Sequence, residues 1–416
     1  RLTYQLDSKS VKLAFTNLPR TVFNELLQEV KGLENSKFDP ATKLWSFNRP
    51  EDSPRNAFIL GYLTNGEFPG SLKDPLHKYI HEAPLNFVSS RNLYAHQAVA
   101  VRWILNKERA VIAGEMGVGK TLAAIEAIEY LIKNNKVKNS PDEIWIVAPG
   151  APLKAWHYEL SKWNSPIRPK FISASYQMIE RSMREAEFPP KILILDESSC
   201  YKNPTAKRTQ LMLQLSRIMF KYYKGEEYII PMSGSPSPKD PADWWAQCEI
   251  ARPGWVREKN IHNFRKRIAH VEKVSGPHGD YSKVMGWKHE ELECLNKRLS
   301  PLVLVQKKKD CLDLPEKIYQ EVSFPPSQET LRAARLIIDT GETSAIVLGQ
   351  LRQLSDGFQY NKVQGTQRFS CPKDEWLRDT LNQFREDDKY RIVIFAGFTE
   401  SVDKCTETCL SQGWNV

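Results

Sequence analysis

One short segment limits what this chain can fold into more than any other. Residues 114–121 read Gly-Glu-Met-Gly-Val-Gly-Lys-Thr and fit the pattern G-x-x-x-x-G-K-[ST] at every fixed position. An apolar stretch at 109–113 predicts a buried strand before the segment, and the apolar spacing of residues 122–132 predicts a helix after it. Strand, glycine-rich turn and helix together favour a phosphate-binding loop over a chance match.

The residue types of this loop account for its chemistry. The three glycines let the backbone turn its N–H groups toward a phosphate, and the N-terminus of the following helix adds a favourable dipole. Lys120 would neutralise the β- and γ-phosphates, and the Thr121 hydroxyl would hold Mg²⁺. The sequence therefore predicts a nucleoside triphosphate site with Mg²⁺. The predicted nucleotide-binding residues are Gly114, Glu115, Met116, Gly117, Val118, Gly119, Lys120 and Thr121.

A second acidic site is predicted downstream of the loop. Residues 191–197 read Lys-Ile-Leu-Ile-Leu-Asp-Glu, an apolar strand that ends in two carboxylates. Open α/β sheets bind ligands outside the carboxyl ends of their strands, so both acids would lie beside the phosphate loop. Asp196 would hold Mg²⁺ through water, and Glu197 would orient and deprotonate the water that attacks the γ-phosphate. Two solvated acids at the end of an ordinary strand are the alternative interpretation.

Short apolar runs around the loop indicate an α/β fold. From about residue 91 they alternate with helix-like or loop stretches, which is typical of a parallel sheet covered on both faces. The predicted strands span 109–113, 143–148, 170–175, 191–196 and 227–232.

The length of 416 residues predicts more than one domain. The first 80 residues predict a small α+β module with a strand at 10–16, a helix at 19–33 and a Trp/Phe hairpin at 38–47, and a linker follows at 65–90. Near the C-terminus a second βα unit is predicted, with a helix at 376–385, a strand at 391–395 and a helix from about 400. The predicted domains are 1–80, an α/β lobe at 81–254, a basic helical insertion and bridge at 255–375, and a second lobe beginning at 376–416.

Charge and cysteine content narrow the partners and the compartment. The net charge of +9 suggests a polyanion partner, although a solvated basic surface without a ligand fits equally well. Seven cysteines are few and odd in number, which suits reduced thiols in an intracellular compartment and leaves nucleus and bacterial or phage-infected cytoplasm open. The longest apolar runs are strand-sized, so we expect no membrane partner.

Several segments, taken in order, resemble one family. Residues 196–209, which begin Asp-Glu-Ser-Ser and continue to Lys-Asn, resemble the DEAD/DEAH-like segment of Swi/Snf-type DNA translocases of helicase superfamily two. The phosphate loop is also similar to theirs. The other similar segments are Leu93–Gln97, Ile146–Pro149 through Trp156, Met232–Ser237 (their Thr-Gly-Thr-Pro turn), Leu299–Lys317 (the bridge between their lobes) and Ile394–Thr399.

This resemblance implies a fold and further site residues. The fold would be a RecA-like P-loop NTPase lobe, followed by the start of a second RecA-like lobe. Gln97 would read the adenine edge and so select ATP, and Ser233 and Ser235 would relay loss of the γ-phosphate to the nucleic-acid side. Without the resemblance, Gln97 could equally be an ordinary polar residue on a helix. Ser233 and Ser235 could belong to an ordinary turn. The residues at the family's DNA-backbone positions are Lys154, Ser175, Tyr176, Lys202 and Asn203.

Three features set limits on the resemblance. Ser199 stands where the family usually has His, so coupling between the ATP and DNA sites is expected to differ. The arginine with which the family's second lobe completes the ATP site would lie beyond Val416, so we expect this segment to bind ATP but hydrolyse it weakly. The hairpin at 38–47 is similar to the HepA-related domain of annealing helicases, which helps to recognise forked DNA; an ordinary structural hairpin fits equally well.

The resemblance implies an ATP-dependent double-stranded-DNA translocase, a DNA-dependent ATPase whose partner is duplex or forked DNA, held mainly by its phosphates. Annealing, fork remodelling and DNA repair are the particular forms expected. Two alternatives stay open: a strand-separating DNA or RNA helicase of superfamily two, and a non-hydrolysing ATP-gated DNA clamp or scaffold. The sequence identifies no protein partner.

Overall fold

The computed structural model divides the chain into two compact units, Arg1–Pro315 and Glu316–Val416. Most of the predicted linker at 65–90 lies outside the described residues. The domain boundaries predicted at residues 80, 254 and 375 stay predictions, because a division into two units does not test them. The structure describes residues 2–7, 10–16, 18–64, 68, 87–89, 91–237, 240–276, 279–339, 343–361, 365–385 and 391–416.

The first unit opens with a four-stranded antiparallel sheet in the order β1-β2-β4-β3. Side chains alternate between the two faces of a strand, and Val11, Leu13 and Phe47 lie on the buried face of this sheet. The strand predicted at 10–16 and the hairpin predicted at 38–47 are both present in it. The elements are β1 Leu2–Leu6, β2 Ser10–Phe15, α1 Arg20–Gly32, β3 Lys37–Asp39, β4 Leu44–Asn48 and α2 Pro54–Thr64.

A parallel sheet with helices between its strands follows. Its strands β6, β8 and β9 are fully buried, because both faces of the sheet are covered there. All five strands predicted for this region are present, within a few residues of their expected bounds. The elements are α3 Ala95–Lys107, β5 Val111–Gly114, α4 Lys120–Lys133, β6 Ile144–Ala148, α5 Gly150–Lys162, β7 Lys170–Ser173, α6 Tyr176–Glu185, β8 Ile192–Asp196, α7 Lys207–Tyr223, β9 Tyr228–Ser233 and α8 Trp244–Ala251.

The region after α8 is only partly helical, unlike the helical insertion predicted for 255–375. It contains an antiparallel hairpin and a short strand, β12, that completes the central sheet in the order β12-β5-β9-β8-β6-β7. β12 pairs in parallel with β5, and Gln306 is opposite Gly114. Because the region is basic in composition, the four-residue strand β12 was not predicted. The elements are α9 Ile261–Ile268, β10 Ala269–Gly276, β11 Gly279–Trp287, α10 His289–Leu299, β12 Val303–Gln306 and α11 Lys308–Cys311.

The N-terminal sheet and the α/β region share one hydrophobic core. Val11, Phe47 and Phe58 belong to the same buried cluster as Val111 and Trp255. A buried ion pair accompanies this packing: the Arg55 guanidinium donates to Glu249 Oε1 at 2.7 Å. Burial raises the pKa of Glu249, and the charge of Arg55 opposes that rise. The first unit is therefore continuous from the N-terminal sheet to β12.

The second unit contains four helices and a two-stranded hairpin among its described residues. The helices predicted at 376–385 and from about 400 are present as α14 and α15. The strand predicted at 391–395 is absent: these residues have no assigned secondary structure, and no described strand of this unit pairs with them. The elements are α12 Gln328–Ile338, α13 Ser344–Ser355, β13 Phe358–Asn361, β14 Gly365–Arg368, α14 Pro372–Gln383 and α15 Thr399–Ser411. Among the described residues, no helix has the length and apolarity to cross a bilayer.

Candidate nucleotide and nucleic-acid site

The loop at 114–121 joins β5 to α4, as the sequence predicts. Gly117 and Gly119 have φ values of +85° and +83°, a region that residues with a Cβ rarely adopt. At Gly119 there is a second requirement, because a Cβ there would collide with the amide of Gln97. The α4 helix begins at Lys120, so its first N–H groups and its dipole are directed at the loop.

The Lys120 ammonium lies at the start of the loop. Its Nζ donates to the carbonyl oxygen of Gly114 at 2.7 Å and to that of Glu115 at 3.3 Å. Burial lowers the pKa of Lys120, and the charges of Asp196 and Glu197 act in the opposite direction. The two carboxylates are therefore within electrostatic reach of the lysine that was predicted to bind the phosphates.

Residues far away in sequence support the loop. The Glu115 N–H donates to the Gln306 carbonyl at 2.9 Å, and the Lys308 N–H donates to Glu115 Oε2 at 2.9 Å. Gln306 Nε2 also donates to the His96 carbonyl at 2.6 Å, and His96 Nε2 lies 2.8 Å from the Val118 carbonyl oxygen. The sequence did not identify this support, and the apolar run that ends at Gln306 was its one available signal.

Gln97 lies beside the end of the loop. It is 7% exposed, and its Oε1 accepts a hydrogen bond from the Tyr94 N–H at 3.0 Å. A Cβ at Gly119 would overlap the amide nitrogen of Gln97, so a side chain there would require Gln97 to move. The structure therefore brings Gln97 to the loop, and its proposed contact with adenine stays a prediction.

The two acids lie at the end of β8. Asp196 is 9% exposed; its Oδ2 accepts a hydrogen bond from Trp156 Nε1 at 2.9 Å, and its Oδ1 accepts one from the Glu197 N–H at 3.0 Å. Glu197 has a left-handed backbone, with φ of +54°. A non-glycine residue in this conformation costs on the order of 1–3 kcal/mol and is common at functional sites.

Ser233 joins this group because β9 lies beside β8. Asp196 is opposite Met232 in the register, and the Ser233 hydroxyl donates to Glu197 Oε2 at 3.2 Å. The Ser235 N–H donates to the Ser233 oxygen at 3.2 Å. The structure thus connects the acid to the Ser-Gly-Ser-Pro turn through hydrogen bonds.

A buried amide provides a second connection, which the sequence did not suggest. Gln247 on α8 is fully buried, and its Oε1 accepts a hydrogen bond from the Ser198 hydroxyl at 2.8 Å. Its Nε2 donates to the Pro236 carbonyl at 2.7 Å. Gln247 therefore ties the segment after the acids to the turn after Ser233.

The predicted DNA contacts follow the ends of β6, β7 and β8, at the same edge of the sheet. Lys154 is exposed on α5, and Ser175 precedes α6. The Tyr176 hydroxyl donates to Glu180 Oε1 at 3.0 Å. Lys202 Nζ lies 3.5 Å from Asp243 Oδ2, and Asn203 accepts a hydrogen bond from the Thr205 N–H.

The predicted cation ligands fit Mg²⁺ in their chemistry. Thr121 supplies a hydroxyl in the first turn of α4 and Asp196 a carboxylate at the end of β8. Mg²⁺ prefers oxygen ligands and is usually bound by one or two carboxylates together with substrate phosphates.

The parallel sheet, the loop between β5 and α4, and the acids at the end of β8 define a RecA-like P-loop domain. A model of the SNF2-related domain matches residues 96–183, which include the loop and the α5 helix. Over these residues the chain is similar to SNF2-related proteins, and the resemblance to Swi/Snf-type ATPases is confirmed.

Two relatives and one solved structure illustrate the extent of the similarity. The bovine (Bos taurus) SWI/SNF-related matrix-associated actin-dependent regulator of chromatin subfamily A-like protein 1 is 24% identical over 297 residues, 62% of this chain and 29% of that protein. The chicken (Gallus gallus) DNA repair and recombination protein RAD54B is 24% identical over 336 residues, 74% of this chain and 35% of that protein. The chain thus spans about a third of the length of these relatives. The Sulfolobus solfataricus SWI2/SNF2 ATPase core in complex with dsDNA is 20% identical, with a TM-score of 0.44, over 80% of this chain and 72% of that one.

Proposed function

We propose that this chain is the ATP-binding part of a DNA translocase that couples ATP hydrolysis to movement along duplex DNA. The observation that carries the proposal is the group formed by Lys120, Asp196, Glu197 and Ser233 at one edge of the sheet of an SNF2-related domain. Annealing or remodelling of forked DNA is the particular activity proposed, in an intracellular compartment that contains DNA.

The loop and the two acids have different roles in the proposed reaction. Backbone N–H groups of the loop hold the phosphates, and Lys120 exchanges its bonds to the Gly114 and Glu115 carbonyls for bonds to phosphate oxygens. Thr121 and Asp196 would hold Mg²⁺, which would neutralise charge on the phosphates. Glu197, whose Oε2 accepts the Ser233 hydroxyl, would accept the proton of the attacking water.

Movement requires that the nucleotide and DNA sites communicate. The Ser233 hydroxyl donates directly to Glu197, the proposed general base, and its oxygen accepts a hydrogen bond from the Ser235 N–H. A change at Glu197 on hydrolysis would therefore shift the turn that leads away from the nucleotide. Lys154, Lys202 and their neighbours would bind phosphates of one strand at the same edge, where charge and donors suffice.

The central test is Lys120→Ala in the full-length chain. We expect DNA-stimulated ATP hydrolysis to fall by about 10²–10³-fold, the usual effect of losing a group that stabilises transition-state charge. Lys133→Ala, an exposed lysine at the other end of α4, is the matched control. Stimulation that survives Lys120→Ala would contradict the proposal.

The choice of DNA distinguishes the alternatives. ATPase rates and strand separation are measured with single-stranded, duplex and forked DNA. Stimulation by duplex or forked DNA without strand separation supports a translocase. Unwinding with single-strand stimulation would indicate a helicase, and ATP-dependent DNA binding without turnover would indicate a clamp.

A further inference from the structure

One indole links a solvent-facing helix to the acid that is proposed to hold Mg²⁺. Trp156 on α5 is fully buried, and its Nε1 donates to Asp196 Oδ2 at 2.9 Å. The other oxygen of Asp196 accepts the Glu197 N–H. Helix α5 therefore fixes one side of the carboxylate, and the chain's own turn fixes the other.

The Trp156 ring has little freedom to move independently of its helix. It belongs to the buried cluster that includes Ile144, Ile146 and Ile194 on neighbouring strands. Densely packed interiors transmit small displacements, because a large side chain there has no empty space to enter. A shift of α5 would therefore move the indole N–H and, with it, the hydrogen bond to Asp196.

The side of α5 away from Trp156 is exposed at Lys154. Lys154 is exposed and lies two positions before Trp156, which is about 200° around a helix of 3.6 residues per turn. One helix thus carries a buried contact to the acid and, on its other side, an exposed cation.

We propose that Trp156 is a positioning residue that makes the orientation of Asp196 depend on the position of helix α5. DNA phosphates bound on the Lys154 face would then change how Asp196 presents its carboxylate to the Mg²⁺–nucleotide. The inference rests on the proposed function, since it needs both a nucleotide and a DNA phosphate. It adds a second connection, separate from Ser233, between the two sites.

The test compares Trp156→Phe with Trp163→Phe in the full-length chain. Phenylalanine keeps an aromatic ring and removes the N–H. Trp163 follows the same helix, and its Nε1 donates to the Glu159 carboxylate at 2.7 Å, so the control removes the same kind of bond away from the acids. Binding of a fluorescent ATP analogue is measured with and without Mg²⁺, and thermal unfolding is followed for each variant.

We expect Trp156→Phe to weaken the Mg²⁺-dependent part of nucleotide affinity by about 10–100-fold, as when a partner of a metal ligand is lost. Affinity without Mg²⁺ should stay within about twofold, given that the loop is intact, and Trp163→Phe should match the unaltered chain. Equal behaviour of the two variants would overturn the inference. So would an equal loss with and without Mg²⁺, which would indicate a purely structural role.

A measurement that needs no core substitution keeps the inference testable if Trp156→Phe fails to fold. Duplex DNA is added to the unaltered chain and to Lys154→Glu, and Mg²⁺-dependent analogue binding is recorded. DNA should change this affinity in the unaltered chain, and the change should be smaller in Lys154→Glu. If DNA stimulates ATP hydrolysis but leaves Mg²⁺-dependent binding unchanged, the inference is wrong and the proposed function stands; without any stimulation, the proposed function itself fails.

Discussion

The two sides of one sheet edge are built in different ways. On the nucleotide side, Asp196 at the end of β8 and Ser233 at the end of β9 are buried, and the Ser233 hydroxyl donates to Glu197. On the proposed nucleic-acid side, β6 and β7 lead to residues that are exposed or bonded only to near neighbours, such as Tyr176 to Glu180. β8 lies between the two sides and leads to residues of both.

The difference reflects what each ligand demands. A triphosphate that must react needs donors and acids in fixed places, because small misplacements reduce the rate strongly. A DNA backbone needs only positive charge and donors, which a partly exposed lysine such as Lys202 beside Asp243 can supply. We therefore expect substitutions on the nucleotide side to abolish a step and those on the other side to lower affinity gradually.

The largest effect is expected for Glu197→Gln. Loss of the general base should lower the turnover number by about 10²–10⁴-fold and leave binding of ATP and DNA intact. Steady-state hydrolysis and analogue binding would be measured together. Glu187→Gln, an exposed acid before β8, is the control. Undiminished turnover in Glu197→Gln would assign the base to another residue.

Gly119→Ala should have the next largest effect. The added Cβ meets the Gln97 amide, and a positive φ costs on the order of 1–3 kcal/mol for alanine. Affinity for the ATP analogue should fall by about tenfold or more, since 1.4 kcal/mol is a factor of ten. Gly150→Ala, at the same edge, has open space around its Cβ and should change little. Equal affinities would show that the loop tolerates the collision.

Ser233→Ala tests the boundary between the two sides. Removing the hydroxyl takes a hydrogen bond from Glu197, and such bonds to charged groups contribute about 1.5–3 kcal/mol. Turnover should fall by about tenfold or more, with nucleotide affinity unchanged. Ser237→Ala, in the same turn but bonded to Asp240, serves for comparison. A change in affinity alone would place Ser233 in binding and not in coupling.

The smallest effects are expected for Lys154→Ala and Lys202→Ala. Each should weaken DNA binding a few-fold regardless of sequence and reduce the salt dependence of log affinity by about one unit of slope. Binding to duplex DNA at several salt concentrations measures both quantities. Lys136→Ala, an exposed lysine after the far end of α4, should leave the slope unchanged. The same slope in all three variants would remove these two lysines from the DNA surface.

Much of the nucleotide side could be predicted because its signals are local. The glycines, Lys120 and Thr121 lie in eight consecutive residues, and Asp196 with Glu197 ends a single apolar strand. The prediction of a strand at 391–395 was wrong because a strand also depends on a partner that local sequence does not reveal. Its apolar residues suit a strand, but a strand needs a neighbouring backbone to complete its hydrogen bonds, and no described strand pairs with it.

The contacts that hold the site in place could not be predicted in this way. Gln306 reaches His96 across 210 positions, and Trp156 reaches Asp196 across 40. Because the region around β12 is basic, its pairing with β5 was not predicted. The ion pair between Arg55 and Glu249 was not predicted either. The sequence presented the N-terminal sheet as a separate module, whereas packing merged its core with that of the α/β region.

The sequence by itself determined the glycine-rich loop at 114–121, the order of strands and helices around it and the acids that follow, because each depends on residues close together in the chain. Only the tertiary structure decided which distant groups contact those residues or their neighbours: Gln97 beside Gly119, Trp156 on Asp196 and Gln247 on Ser198. Periodicity and turn chemistry act over a few residues, whereas side-chain partners are set by how whole strands and helices pack.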